Sequence, residues 1–356
     1  MSRTWTLLAA AVLPACVEDD PKPACQPAWE TLLEDDDPDD DDLGTAILSV
    51  WGDSADDLWF AGGTLGIEPS RAIGLHFDGA TWTDLALGVT PSLWWVTRTP
   101  EGTTWFAGEE GLVVRYSDGE VTTFENLADA TLFGIWGSSD SDVWAVGGAV
   151  SGGDRDVILH FDGADWTVVA PPEAFDVQLF KVWGCAADDV WIVGGDGVIL
   201  HWDGSAWTSQ VFESEGGGRP QLFTVNGRSC DDVWAVGSST TILHWDGSAW
   251  TQYVDPTGEE IFAGMLNGVW APAGGDVCVV GLGGVKLWIP DEGPHVEHTL
   301  EGTGSDLHGV WCDAGGTAFA VGGNFFAPDP AAREGTIAHR GCPAPMDGLP
   351  IYTPGY

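Results

Sequence analysis

The sequence predicts an all-β fold, a seven-bladed β-propeller of four-stranded blades, on three observations. Stretches 182–210 and 225–252 are near copies, VWGCAADDVWIVGGDGVILHWDGSAWTSQ and VNGRSCDDVWAVGSSTTILHWDGSAWTQ. The apolar run opening each unit recurs at Val50, Val96, Ile135, Val182, Val225, Val269 and Val310, at intervals of 46, 39, 47, 43, 44 and 41 residues. The 356 residues include 50 Gly and 21 Trp. Units of this length with short strands and periodic Gly and Trp are the signature of propeller blades.

Within the fourth unit the spacing predicts strand A over 179–183, B over 190–194, C over 198–202 and D over 207–211. Strands B and C are almost wholly apolar rather than alternating, as expected when neighbouring blades cover both faces of a sheet. Asp-Gly between C and D is a turn signal, because these residues accept positive φ. It recurs at Asp78-Gly79, Asp118-Gly119, Asp162-Gly163, Asp203-Gly204 and Asp246-Gly247.

The seventh unit breaks off after its strand C, Thr336-Ile337-Ala338-His339, and offers no Trp strand. The missing strand lies at the other end, where Cys25-Gln26-Pro27-Ala28-Trp29 aligns with Asp203-Gly204-Ser205-Ala206-Trp207. The N-terminal segment is therefore expected to form strand D of blade 7. Cys25 and Cys342 both fall in the C–D turn of that blade, which predicts a disulfide closing the ring.

Ahead of this, Arg3 and the apolar stretch 4–13 read as a targeting segment, and Leu13-Pro14-Ala15-Cys16 resembles the lipobox of bacterial lipoproteins. The resemblance implies a signal peptide over 1–15, acylation of Cys16, a tether over 16–24, and a place in the cell envelope facing periplasm or exterior. No stretch approaches the ~20 apolar residues of a membrane span. The domain plan is then a propeller over 25–342 and a tail over 343–356.

Taking Cys16 from seven cysteines leaves six, an even number in an exported chain. Besides Cys25 and Cys342, four remain, and they admit three pairings. Cys185 and Cys230 fall in A–B turns of blades 4 and 5, Cys278 in strand B of blade 6 and Cys312 at strand A of blade 7. That placement favours Cys185–Cys230 and Cys278–Cys312.

The unit resembles the repeats of Asp-box and photosystem-assembly-type propellers, in which a strand ending Trp-x-Val-Gly precedes an apolar strand, a DG turn and a Trp strand. The likeness spans 25–342. It departs from a true Asp box, since Asp203 to Trp207 is four residues and no Ser or Thr stands two before the Asp, so no sialidase-like role follows.

A formal charge of −43, from 55 Asp plus Glu against 12 Lys plus Arg, excludes phosphate-backbone binding. The run EDDDPDDDD at 34–42 reads as the solvated loop between blades 7 and 1. It lacks the Gly and closing Glu of a calcium loop, so only weak calcium binding is expected there, with no cofactor elsewhere. Metal ligands remain unassigned.

Arg71, Arg155 and Arg333 sit in long B–C loops of blades 1, 3 and 7, and Arg219 in a D–A loop, all on one face. This makes a candidate surface for an anionic ligand, weighed against local pairing with Asp and Glu. The strand C histidines, His76, His160, His201, His244 and His339, belong to different blades and are too far apart to share a metal, so they read as structural. Residues preceding the strand A Val or Ile are expected to line the channel, with Lys181 the charged member, meeting an anion there or reaching a channel carbonyl. No catalytic group is assigned. The expected function is binding, as an extracytoplasmic scaffold for a protein or glycan partner without nucleic acid. The alternatives are a glycan hydrolase or lyase using the same face, and a purely structural surface protein.

Overall fold

The computed structural model describes residues 28–34, 45–65, 71–149, 152–258, 261, 264–291, 293–297, 301–324 and 335–341. Among the described residues, seven four-stranded antiparallel sheets follow one another along the chain, joined by turns and loops that include three turns of 3-10 helix. The innermost strands, here strand A, are Ala46–Ser54, Leu93–Arg98, Thr131–Ser139, Leu179–Ala186, Leu222–Ser229, Leu266–Trp270 and Leu307–Cys312. Each touches the next, and Leu307–Cys312 touches Ala46–Ser54, so the ring closes. The protein is a seven-bladed β-propeller.

In blade 4, strands C and D fall at Val198–Trp202 and Trp207–Val211, as the repeat predicts. Strand A runs three residues further, to Ala186, because its end pairs with Asp189 across a second register shift. In blade 7 the outermost strand is Trp29–Glu34, paired antiparallel with Gly335–Arg340. Cys16, Cys25, Arg333, Cys342 and residues 35–42 of the acidic run lie outside the described residues.

The core is divided among the seams. Seven apolar clusters each unite two adjacent blades; one joins Trp144, Val146 and Ile158 of blade 3 to Leu179, Ile192 and Trp207 of blade 4. A blade's two middle strands therefore face apolar neighbours on both sides, which is why their sequences do not alternate. Burying a large side chain in such a seam contributes roughly 2–3 kcal/mol.

The Asp-Gly turns work through the Asp side chain as much as through the glycine. Asp203 Oδ1 accepts from the backbone N–H groups of Ser205 and Ala206 at 2.9 Å each, while Gly204 supplies φ +83°. The Ser205 hydroxyl and those two N–H groups hold the Asp203 carboxyl down to about 2. Only Asp118-Gly119 has both residues at positive φ, at 51° and 84°, the two-residue hairpin form.

Two disulfides tie neighbouring blades: Cys185–Cys230 joins blades 4 and 5 with Cα atoms 5.3 Å apart, and Cys278–Cys312 joins blades 6 and 7 at 6.5 Å. Such bonds persist in oxidising, extracytoplasmic compartments. No helix among the described residues is long and apolar enough to cross a membrane.

Candidate functional site: a tryptophan-lined cup in the channel

Every strand A carries a β-bulge at the same place, at Leu48, Trp94, Phe133, Phe180, Phe223, Asn267 and His308. A bulge re-aims side chains. Here the bulged residues form a belt around the axis. Ring centroids are 5.0 Å apart for Trp94 and Phe133, 5.6 Å for Phe133 and Phe180, and 5.4 Å for Phe180 and Phe223. Trp94 of blade 2 also meets His308 of blade 7 at 5.8 Å, a contact that skips blade 1 and so crosses the channel.

The position after the bulge, expected from sequence to line the channel, mostly faces the neighbouring strand A instead. A Cβ on Gly134 would lie 2.9 Å from the Cα of Lys181, and one on Gly309 3.3 Å from the Cα of Ser49. Those positions are small because backbones meet there. Trp95 and Lys181 are the exceptions, reaching over Gly134 toward each other. Lys181 is 3% exposed, donates from Nζ to the Phe133 carbonyl at 2.7 Å, and lies 4.1 Å from the Trp95 ring centre. Burial lowers its pKa to about 7. Opposite, buried His308 donates from Nδ1 to Leu48 O at 2.5 Å, and burial with Lys181 nearby takes its pKa down to about 3. These groups plug the channel.

Beyond the plug, on the A–B turn side, the channel opens into a cup of about 900 Å³. Its wall includes Trp51, Trp95, Trp136, Trp183 and Trp270, all half-buried, with Arg98 at the rim. The tryptophan one place after the strand A Val or Ile crosses to the next blade. The tip of Trp136 rests where a Cβ on Gly184 would fall, 2.6 Å away, and Trp183 stands in the same relation to Gly227. Trp311 donates to Gly52 O at 2.7 Å. The indole N–H groups of Trp51, Trp136, Trp183 and Trp270 have no acceptor among the described residues. Arg98 is held by Asp57 at 2.7 Å and by Gly102 O at 3.0 Å.

The repeat pattern does not by itself point to the cup, although Val-Trp or Ile-Trp recurs in strand A of five units, at Trp51, Trp136, Trp183, Trp270 and Trp311. The arginines expected to mark a ligand lie apart from it. Arg71 is 3.7 Å from Asp84, Arg155 is 3.3 Å from Asp176, and Arg219 is 2.5 Å from Glu213. Lys181 is buried between blades, with its amine on the Phe133 carbonyl and the Trp95 ring.

The strand C histidines serve a repeated structural device. His76, His160, His201 and His244 contact Asp57, Asp142, Asp189 and Asp232 at 2.7–3.0 Å. Each ring lies on the strand B tryptophan of its blade, at 3.9 Å for His201 on Trp191. In blade 2 the triplet becomes Thr103, Trp105 and Arg115, the guanidinium taking the place over the ring at 5.9 Å. The one cluster with metal-ligand spacing among the described residues is Cys185, Asp189 and Cys230, and its sulfurs are bonded to each other.

The fold and cup define the class as a seven-bladed propeller with a plugged channel. No protein-family model matches the chain. No curated protein matches it either. Among solved structures it is similar to a catalytically inactive virginiamycin B lyase from Staphylococcus aureus with quinupristin. That match has a TM-score of 0.68 at 12% identity, over 88% of this chain and 99% of that one. It is also similar to YCF48 from Cyanidioschyzon merolae, TM-score 0.59 at 14% identity over 88% and 98%, and to YCF48 bound to D1 peptide, over 88% and 96%. At such identities the likeness establishes the fold.

Proposed function

We propose that this protein is a non-catalytic, lipid-anchored binding or scaffold module of the cell envelope whose partner, a protein segment or glycan, enters the tryptophan-lined cup. The observation that carries the reading is the wall itself: half-buried indoles whose N–H groups are unspent, around a cavity large enough for a ligand. Sites of this kind are concave and mostly apolar, with a few polar groups that fix orientation. Two hydroxyls of the wall are committed to carboxylates, Ser138 to Asp142 and Thr99 to Asp140, each at 2.5 Å, which favours binding over chemistry. The likeness to YCF48 bound to D1 peptide accords with a peptide partner, and the likeness to a lyase supplies fold only. Purified protein on glycan and peptide arrays, with product analysis of every hit, tests this. Capture without turnover that is lost in Trp183→Ala is expected, and turnover of a captured ligand would overturn it.

A further inference from the structure

We infer that the cup is a docking site for the chain's own proline-rich segment 343–356, which occupies it and competes with the external partner. The inference rests on the reading of the cup as a binding site and adds its regulation.

The first support is position. Residues 342–356 lie outside the described residues and follow Gly341, one residue past the end of strand C in blade 7. That end stands on the same face as the cup, because Arg340 Nη1 donates to Gly316 O in the A–B turn of its own blade at 2.5 Å. Blade 7 lies between blade 6 and blade 1, which supply Trp270 and Trp51 to the wall. Strand C is the third strand from the axis, and with strands roughly 4.8 Å apart the path from Gly341 to the cup is on the order of 20 Å. Ten residues in extended polyproline II form reach roughly 30 Å.

Chemistry is the second support. Segment 343–356 reads PAPMDGLPIYTPGY, with four prolines, Tyr352, Tyr356, Leu349 and Ile351 and a single charge at Asp347. Proline has no backbone N–H, so a proline-rich strand presents carbonyl acceptors and apolar rings. The cup presents the complement, apolar indole faces and donors without acceptors. Aromatic-lined grooves hold proline-rich segments in this way, and the polyproline form loses little entropy on docking. Such a segment also suits a chain of net charge −43, in which an acidic tail would be repelled.

Two experiments test this. In the full chain, Tyr352→p-benzoylphenylalanine followed by irradiation is expected to crosslink to peptides of the cup wall, those containing Trp51, Trp136, Trp183 or Trp270. Crosslinks to other regions, or none, would overturn the inference. In the second, a chain ending at residue 342, which keeps Cys342, is titrated calorimetrically with synthetic peptide 343–356. It is expected to bind one peptide, at least tenfold tighter than the full chain does, with Trp183→Ala weakening binding at least tenfold. Equal binding by both chains, or by neither, overturns it. Array ligands captured equally by the full and shortened chains would remove the tail from the site and leave the cup as a partner site.

Discussion

Lys181 of blade 4 holds its amine 4.1 Å from the centre of the Trp95 ring of blade 2, across Gly134 of the blade between them. A single contact thus spans three blades and plugs the channel above the cup. Among the described residues the amine's other partner is the Phe133 carbonyl, and burial brings its pKa from 10.5 to about 7.

That depression sets a pH dependence. Between pH 7 and 10.5 the unfolded chain keeps the Lys181 proton and the folded chain does not, so this group makes stability rise with pH over that window and weakens the fold most below it. Replacing it with Met removes the effect. Denaturant unfolding at pH 6.5 and 9.5 is expected to show Lys181→Met gaining on wild type at the lower pH, with the gap closing by roughly 3 kcal/mol at the higher. An unchanged gap would mean that the amine is solvated.

His308 acts on the acid side. Its pKa of about 3 lies below the unfolded value of 6.5, so its contribution is present above 6.5 and falls away as pH drops toward 3. A His308→Leu chain is expected to lose less stability than wild type between pH 6.5 and 4, measured by thermal melts at matched ionic strength.

The seam between strands A depends on glycine where tryptophan lands. Gly184→Ala would put a methyl 2.6 Å from Trp136 and 2.8 Å from Asp189 O, and is expected to cost about 2 kcal/mol and to disturb the cup wall. Gly304→Ala, with nothing within 4 Å, is expected to be neutral. Equal melting temperatures for both variants would contradict the packing described.

The repeated His, Asp and Trp device makes modest, local contributions. His201→Ala removes the 3.0 Å contact with Asp189 and the ring over Trp191, and is expected to cost about 1 kcal/mol. Combined with His76→Ala three blades away, the losses are expected to add, read from unfolding midpoints.

The two disulfides differ in access. Cys278 and Cys312 are 2% and 1% exposed, whereas Cys230 is exposed. Under graded reductant, mass mapping is expected to find Cys185 and Cys230 alkylated first. Loss of Cys278–Cys312, which closes a span of 34 residues, is expected to cost 3–4 kcal/mol, to about that order.

Blade number, strand order and the paired cysteines of adjacent blades were legible because each unit repeats one packing problem and substitutions in one unit can be checked against another. The A–B turn halves of the repeat carried the cup's signal in plain sight, as the recurrent Trp51, Trp136, Trp183 and Trp270. The belt was not legible. A bulge inserts one residue per strand A, so the alternation that places Ser49 in the channel fails by one and puts Leu48 there instead. The arginines stand out by their scarcity, yet a sequence does not show that Asp84, Asp176 and Glu213 stand beside Arg71, Arg155 and Arg219.

Ligand capture by variants of the two faces weighs the cup against the loop face most directly. With ligands taken from the arrays and Kd measured by calorimetry, Trp136→Ala with Trp183→Ala is expected to weaken binding at least a hundredfold, while Arg71→Ala with Arg155→Ala leaves it within twofold. Loss of binding in the arginine variant with retention in the tryptophan variant would place the partner on the opposite face and contradict the cup as the site.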